Sequence, residues 1–157
     1  MKMKNILYII ILSFIFSFVV GCGELPEEKP VSAESFTITI EEIIDAVDSG
    51  NPNEYAKLLT EDSRFRFGNW PEVKGKKAIH KAQTEFYASV KKTKHEIIRH
   101  WKNDSSIVAD MLVTYTRIDG STLTLPVVDI FEIKGNKVDA TFIYMDIAPL
   151  YEKPKSK

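Results

Sequence analysis

Between residues 92 and 147 the chain reads as four long strands in succession, 92–101, 106–117, 122–133 and 138–147. Turn signals at Asn103-Asp104, Asp119-Gly120 and Gly135-Asn136 divide them. Strands joined by turns this tight pair antiparallel, because a parallel crossover needs a dozen or more residues. What comes before is helical. Thr39 followed by Glu42 forms a capping box, and Ile40, Ile43, Ile44 and Val47 fall on one helical face. Gly50 stops that helix, and Asn51 caps a second one with Pro52 at its first position and Tyr55, Leu58 and Leu59 as its apolar stripe. The segment 64–68, RFRFG, alternates like a short strand. After the loop NWPEVKG a third helix carries Ile79, Ala82, Phe86 and Val90 at spacings of three and four. Three helices ahead of an antiparallel meander define an α+β domain.

The N-terminus has a different grammar. Lys2 and Lys4 precede an apolar run over residues 6–20, shorter than the roughly 20 residues that cross a bilayer. A basic start, a short apolar core and a small-residue exit mark a cleaved signal peptide, 1–21. Val19, Val20, Gly21 and Cys22 resemble the lipobox of bacterial lipoproteins, which implies a diacylglyceryl group on the Cys22 sulfur and cleavage just before it. The alternative is an ordinary signal peptide with an incidental cysteine. Cys22 is the only cysteine of the chain, so it has no intramolecular disulfide partner. Two acyl chains suffice for stable membrane anchoring where one is marginal. Residues 23–35, GELPEEKPVSAES, have almost nothing to bury and read as a solvated tether in the segment 22–35. The domain is expected over 36–151, with a disordered tail at 152–157. Without residues 1–21 the chain keeps 19 basic and 22 acidic residues, a net charge of −3. With no basic patch, nucleic acid is not expected as a partner. The expected localisation is the cell envelope, lipid-anchored to a membrane on its periplasmic or extracellular side.

The stretches VKGKKAI (73–79) and TRIDGSTLTLPVVDIFEIKGNKVDATFIYMDIAPL (116–150) resemble the nuclear transport factor 2-like superfamily, SnoaL-like branch. The phrase F-x-x-x-x-G-K-[IV] occurs there with Asn136 in the usual Gly place, a mild change since Asn tolerates the left-handed conformation. The resemblance covers nearly all of 36–151. It implies a cone, with helices closing the concave face of a curved antiparallel sheet over a pocket. It does not imply one chemistry, because this fold hosts isomerases, hydrolases, cyclases and proteins without catalysis. In its epoxide hydrolases and polyketide cyclases the resemblance places a pocket carboxylate at Ile143, and the hydrolase arginine and second aspartate at Leu112 and Thr114. None of the three is ionisable here, which removes the hydrolase mechanism and argues against an enzyme.

Turn geometry suggests a pocket. A two-residue Asp119-Gly120 turn sets Asp129 opposite Asp110, and an Asn103-Asp104 turn sets Asp110 opposite Ile97. Period-two alternation then gathers His95, Ile97, Arg99 and Trp101 with Val108, Asp110, Leu112 and Thr114. Leu123, Leu125, Val127, Asp129 and Phe131 join that face. Opposed carboxylates in a dry site cannot both ionise cheaply, so an Asp110/Asp129 pair suits general acid–base catalysis. The alternative is a buried structural network neutralised by Arg99. His95, Arg99, Thr114, Leu112, Ile143 and Met145 are the expected ligand contacts, with Trp70 either a lid over the mouth or a loop anchor. A three-residue 134–136 turn, the favoured one, directs Tyr144 and Asp146 away from the pocket and leaves Asp146 to strand-end hydrogen bonding; a two-residue turn would point them inward.

On the other face Ala109, Met111, Val113, Tyr115, Val128 and Ile130 are apolar too. A sheet apolar on both sides needs two covers, so a homodimer through the outer face is expected. His80, His95, His100 and the acids lack metal-ligand spacing, and phosphate loops and nucleophile elbows are absent from the sequence. No metal and no cofactor are expected. The leading functional reading is a tethered module binding a small apolar ligand or an envelope partner. The rival is an isomerase or lyase using Asp110 and Asp129.

Overall fold

The computed structural model describes residues 36–152. The signal segment, Cys22, the tether and residues 153–157 lie outside the described residues. Helix α1 (Ile40–Asp48) starts where the capping box predicts: Glu42 N donates to Thr39 Oγ1 at 3.2 Å and Thr39 N to Glu42 Oε2 at 2.9 Å. Such a cap is worth about 1 kcal/mol. It buries Ile40, Ile43 and Ile44. Helix α2 (Pro52–Leu58) follows, its first turn closed by Asn53 N donating to Asn51 Oδ1. Strand β1 (Leu59–Phe67), the two-residue strand β2 (Val73–Lys74) and helix α3 (Lys76–Ser89) complete the first half. The meander is β3 (Lys92–Lys102), β4 (Ser106–Thr116), β5 (Thr122–Lys134) and β6 (Lys137–Tyr144). A short helix α4 (Ala148–Tyr151) ends it, one more than the sequence suggests. Asp146 Oδ1 accepts from Ala148 N at its start, so the last strand stops at Tyr144 and not at 147.

All six strands form one curved sheet in the order β2-β1-β6-β5-β4-β3, antiparallel except for the β1–β6 pair. Its inner face carries Ile107, Ala109, Met111, Val113 and Tyr115 of β4 and Val127, Phe131 and Ile133 of β5. These are buried in one core with the apolar faces of the helices.

Three turns set the registers, each differently from the sequence expectation. Between β4 and β5 three residues turn the chain, not two: Arg117 N donates to Ser121 O and Gly120 N to Arg117 O. Gly120 takes φ +87°, the left-handed conformation that this closure requires. Asp129 therefore pairs with Ala109, and Asp110 with Val128. This corrects the Asp110/Asp129 opposition: the two carboxylates point to opposite faces. Between β3 and β4 the turn is Asp104-Ser105, with Asn103 N donating to Ser106 O and Asn103 Oδ1 accepting from Ser105 N and Ser106 N. An extra residue, Ile98, then interrupts the ladder, so Ile97 pairs with Met111 but Arg99 with Asp110. His95 and Ile97 face inward while Arg99 and Trp101 face outward. Between β5 and β6 the turn is the two-residue Gly135-Asn136 one, and an irregularity between Glu132 and Ile133 restores the parity that a three-residue turn would have given. Tyr144 thus points outward, where Arg66 Nη2 donates to its hydroxyl.

The outer face is corrected in the same way. Ala109, Met111, Val113 and Tyr115 are core residues, Met111 fully so. Val128 and Ile130 lie outside as expected, joined by Val108 and Leu112.

Candidate functional site

A cavity of about 160 Å³ lies between the helices and the inner sheet face. Tyr55, Gln83, Phe86 and Tyr87 of α2 and α3 line it from one side, and Phe65, Phe67, Tyr115, Phe131, Thr141 and Ile143 from the sheet. Trp70 and Pro71 reach it from the loop after β1, with the Trp70 ring 5.4 Å from that of Phe67. Trp70 is still 56% exposed, so it stands at the edge of the cavity.

The lining is mostly carbon, which gives its few polar groups leverage. Asp129 of β5 is 4% exposed, and its Oδ1 has no hydrogen-bond partner. Burial pushes its carboxyl up to about 7, opposed in part by the charge of His95. Tyr55 hydrogen-bonds Thr141 through their hydroxyls, and Tyr115 OH donates to Met145 Sδ at 3.4 Å. Burial, reinforced by the nearby Asp129 charge, raises both phenols above their ordinary range. Tyr87 OH donates to Val47 O, and burial pushes it up to about 12.

His95 is fixed from behind by Asp48, the last residue of α1. Asp48 Oδ1 lies 2.7 Å from His95 Nδ1, and Oδ2 accepts the His95 backbone N–H at 2.8 Å. Burial alone would raise the Asp48 carboxyl. The hydrogen bonds from His95 and the charges of His95 and Lys94 outweigh it and hold Asp48 below its ordinary value.

Of the residues expected to meet a ligand, His95, Trp70, Ile143, Met145 and Asp129 line the cavity. Arg99, Asp110, Leu112 and Thr114 do not. Arg99 Nε and Nη2 both bind Asp110 Oδ2, at 2.9 and 2.8 Å, and the guanidinium lies 5.5 Å from the Trp101 ring on the outer face. Thr114 Oγ1 hydrogen-bonds Thr124 Oγ1 across the same outer surface. Asp110 is therefore removed from the catalytic pair, because the three-residue turn sends it outside. The sequence reading missed Asp48, Tyr55, Gln83, Tyr87 and Thr141. Tyr55 was visible only as part of a helical stripe, and Asp48 reaches His95 across 47 residues of chain. Among the described residues no group of three or more His, Cys, Asp or Glu could hold a metal ion, and no helix is long and apolar enough to cross a membrane.

An α+β domain whose helices close one face of a curved sheet over an interior cavity has the nuclear transport factor 2-like architecture. The family model of the SnoaL-like domain matches residues 40–140. The chain belongs to that family. No curated protein matches it. Among solved structures it is similar to a protein of Catenulispora acidiphila with a ketosteroid isomerase-like fold, in complex with trimethylamine (11% identity, TM-score 0.65, 72% of this chain and 88% of that one). It is also similar to an LEH-like epoxide hydrolase of M. tuberculosis (12%, 0.61, 69% and 80%). A third is a SnoaL-like protein of Jannaschia sp. CCS1, assigned as a polyketide cyclase (13%, 0.61, 71% and 87%). At these identities the likeness is one of fold.

Proposed function

We propose that this domain binds a small, mostly apolar molecule in its cavity while tethered to a cell-envelope membrane through a lipidated Cys22. The observation that carries the binding reading is Asp129. A carboxylate buried among aromatic and aliphatic side chains, with an oxygen lacking any partner, is costly to the fold. A bound molecule that donates a hydrogen bond to it is one way to complete such a group. Apolar walls with a few convergent polar groups are the general form of a small-molecule site. The tether rests on the sequence 19–22 and on the isolation of Cys22. Mass spectrometry of small molecules extracted from the purified protein tests the binding reading, with Ala82→Trp, which fills the cavity from α3, as the control. A molecule present in the native protein and absent from the filled variant supports the site. Equal yields from both would sink it.

A second reading, an isomerase or lyase, is favoured by one specific observation. Asp129 titrates at about 7, near the optimum for a general base, and His95 beside the same cavity is oriented by Asp48. Here Asp129 acts with His95 in place of the Asp110 partner. Solvent deuterium appearing in the extracted ligand, and lost in Asp129→Asn, would establish proton transfer. Binding without exchange would leave a carrier.

The homodimer is proposed through the outer sheet face, where Val128, Trp101 and Tyr144 stay exposed.

A further inference from the structure

We propose that the cavity takes a small organic ammonium ion, with Asp129 and Gln83 accepting its N–H groups and the surrounding rings enclosing its alkyl part. The proposal rests on the ligand-binding reading and names the charge of the ligand.

Two fully buried side-chain atoms in the described residues have no hydrogen-bond partner, Asp129 Oδ1 and Gln83 Oε1. Both residues line this one cavity, from β5 and α3, and they are 4% and 8% exposed. With Asp129 ionised both atoms are acceptors, so what the site then lacks is a donor. The wall has little to give. Tyr55 is engaged with Thr141, Tyr87 donates to Val47 O, Tyr115 donates to Met145 Sδ, and His95 Nδ1 is engaged with Asp48.

The charge of the lining points the same way. No Lys or Arg lines the cavity, and His95 is its one basic side chain. An anionic ligand would meet the Asp129 carboxylate in a dry site whose one basic side chain, His95, is already paired with Asp48. A ketone or ester would bring another acceptor. An ammonium group carries donors only, and its hydrogen bond to a carboxylate is of the charge-assisted kind. Aromatic faces attract cations as well, and Phe65, Phe67, Trp70, Phe86 and Phe131 are all in the wall. A bound cation also favours the ionised form of Asp129, which burial disfavours. The volume of about 160 Å³ is close to that of an apolar cavity of about 150 Å³ that holds benzene. The alkyl part therefore has about four to six carbons.

Three probes of nearly one shape separate charge from volume: tert-butylammonium, tert-butanol and pivalate, titrated calorimetrically into the full chain. The expected order is tert-butylammonium about 10-fold or more tighter than tert-butanol, with pivalate undetected. Asp129→Asn should bring the ammonium down to the affinity of the alcohol while leaving alcohol binding intact, which also reports that the variant folds. Gln83→Leu, which removes the second acceptor and keeps the bulk, should cost the ammonium several-fold. If tert-butanol binds as tightly as the ammonium, or pivalate binds tightest, the ammonium assignment is overturned and the small-ligand reading stands. If none of the three binds and Ala82→Trp leaves the extracted molecules unchanged, both fall.

Discussion

Asp48 Oδ1 sits 2.7 Å from His95 Nδ1 while Oδ2 of the same carboxylate takes the His95 backbone N–H at 2.8 Å. One side chain at the end of α1 thereby fixes both the ring and the backbone of a residue on β3. Hydrogen bonds to a charged group are worth about 1.5–3 kcal/mol each, less when the partner remains hydrated. Asp48→Ala is expected to destabilise the domain by about 2 kcal/mol at neutral pH. The Asp48 carboxyl is held below its ordinary value in the fold. Its contribution is therefore complete above the unfolded pKa and fades as pH falls through the folded one. Urea denaturation of native and Asp48→Ala proteins should show the two curves converging below about pH 4. A gap independent of pH would mean that the pair is not ionic.

Asp129 has the opposite sign. Its carboxyl is raised to about 7 in the fold, so the folded state holds a proton that the unfolded chain releases near pH 4. Native stability should fall as pH rises from about 4 to about 7 and then level off. Asp129→Asn has no such titration. The stability of the variant relative to the native protein should climb by roughly 2–4 kcal/mol across that window. Thermal unfolding at half-unit pH steps measures the difference directly. Parallel curves for the two proteins would show Asp129 to be solvated.

Register makes a sharp contrast between two neighbours on β4. Met111 is fully buried, and Asp110 is on the outer face beside an Arg99 side chain that is mostly exposed. Met111→Ala should cost about 2–5 kcal/mol, and Asp110→Asn less than about 1 kcal/mol. Chemical denaturation of both variants checks the assignment. The reverse order would require the strand to be turned over.

For the outer face, Val128→Glu is the informative change, because Val128 is exposed there in the protomer. A charge added at the proposed interface should convert a dimer to a monomer with little loss of fold. Sedimentation velocity distinguishes the two. A native protein that is monomeric at high concentration would remove the dimer.

Cys22→Ser should leave an uncleaved precursor or a soluble chain, since the anchor is proposed at that sulfur. Membrane fractionation and intact mass read the outcome. Unchanged values for both would end the lipoprotein reading.

The elements were legible because their signals are local. The capping box at Thr39, Pro52 behind Asn51, and the strand alternation each act within a few residues. Register was not, because turn dipeptides alone do not fix it. Asp119-Gly120 and Asn103-Asp104 each sit in loops that close in more than one way, and irregularities such as that at Ile98 carry no sequence mark. β4 itself held a better guide. Its odd positions, Ile107 through Tyr115, are all apolar, while its even ones include Asp110 and Thr114. Weighing that stripe above the turn type would have sent Asp110 outside and kept Asp129 within. The corresponding stripe on β5, Leu125, Val127, Phe131 and Ile133, places Asp129 in the interior. The polar supports, Asp48 and Gln83, depend on tertiary approach and have no local signature.

The single extra residue at Ile98 gives β3 two independent halves. Upstream, His95 answers to Asp48 and the cavity; downstream, Arg99 and Trp101 answer to whatever lies against the outer surface. In a regular strand, alternation would have bound Arg99 to the face of His95, and every change made for one would have been felt by the other. With the ladder broken between them, a substitution at the exterior end of this strand leaves the His95–Asp48 contact at its interior end in place.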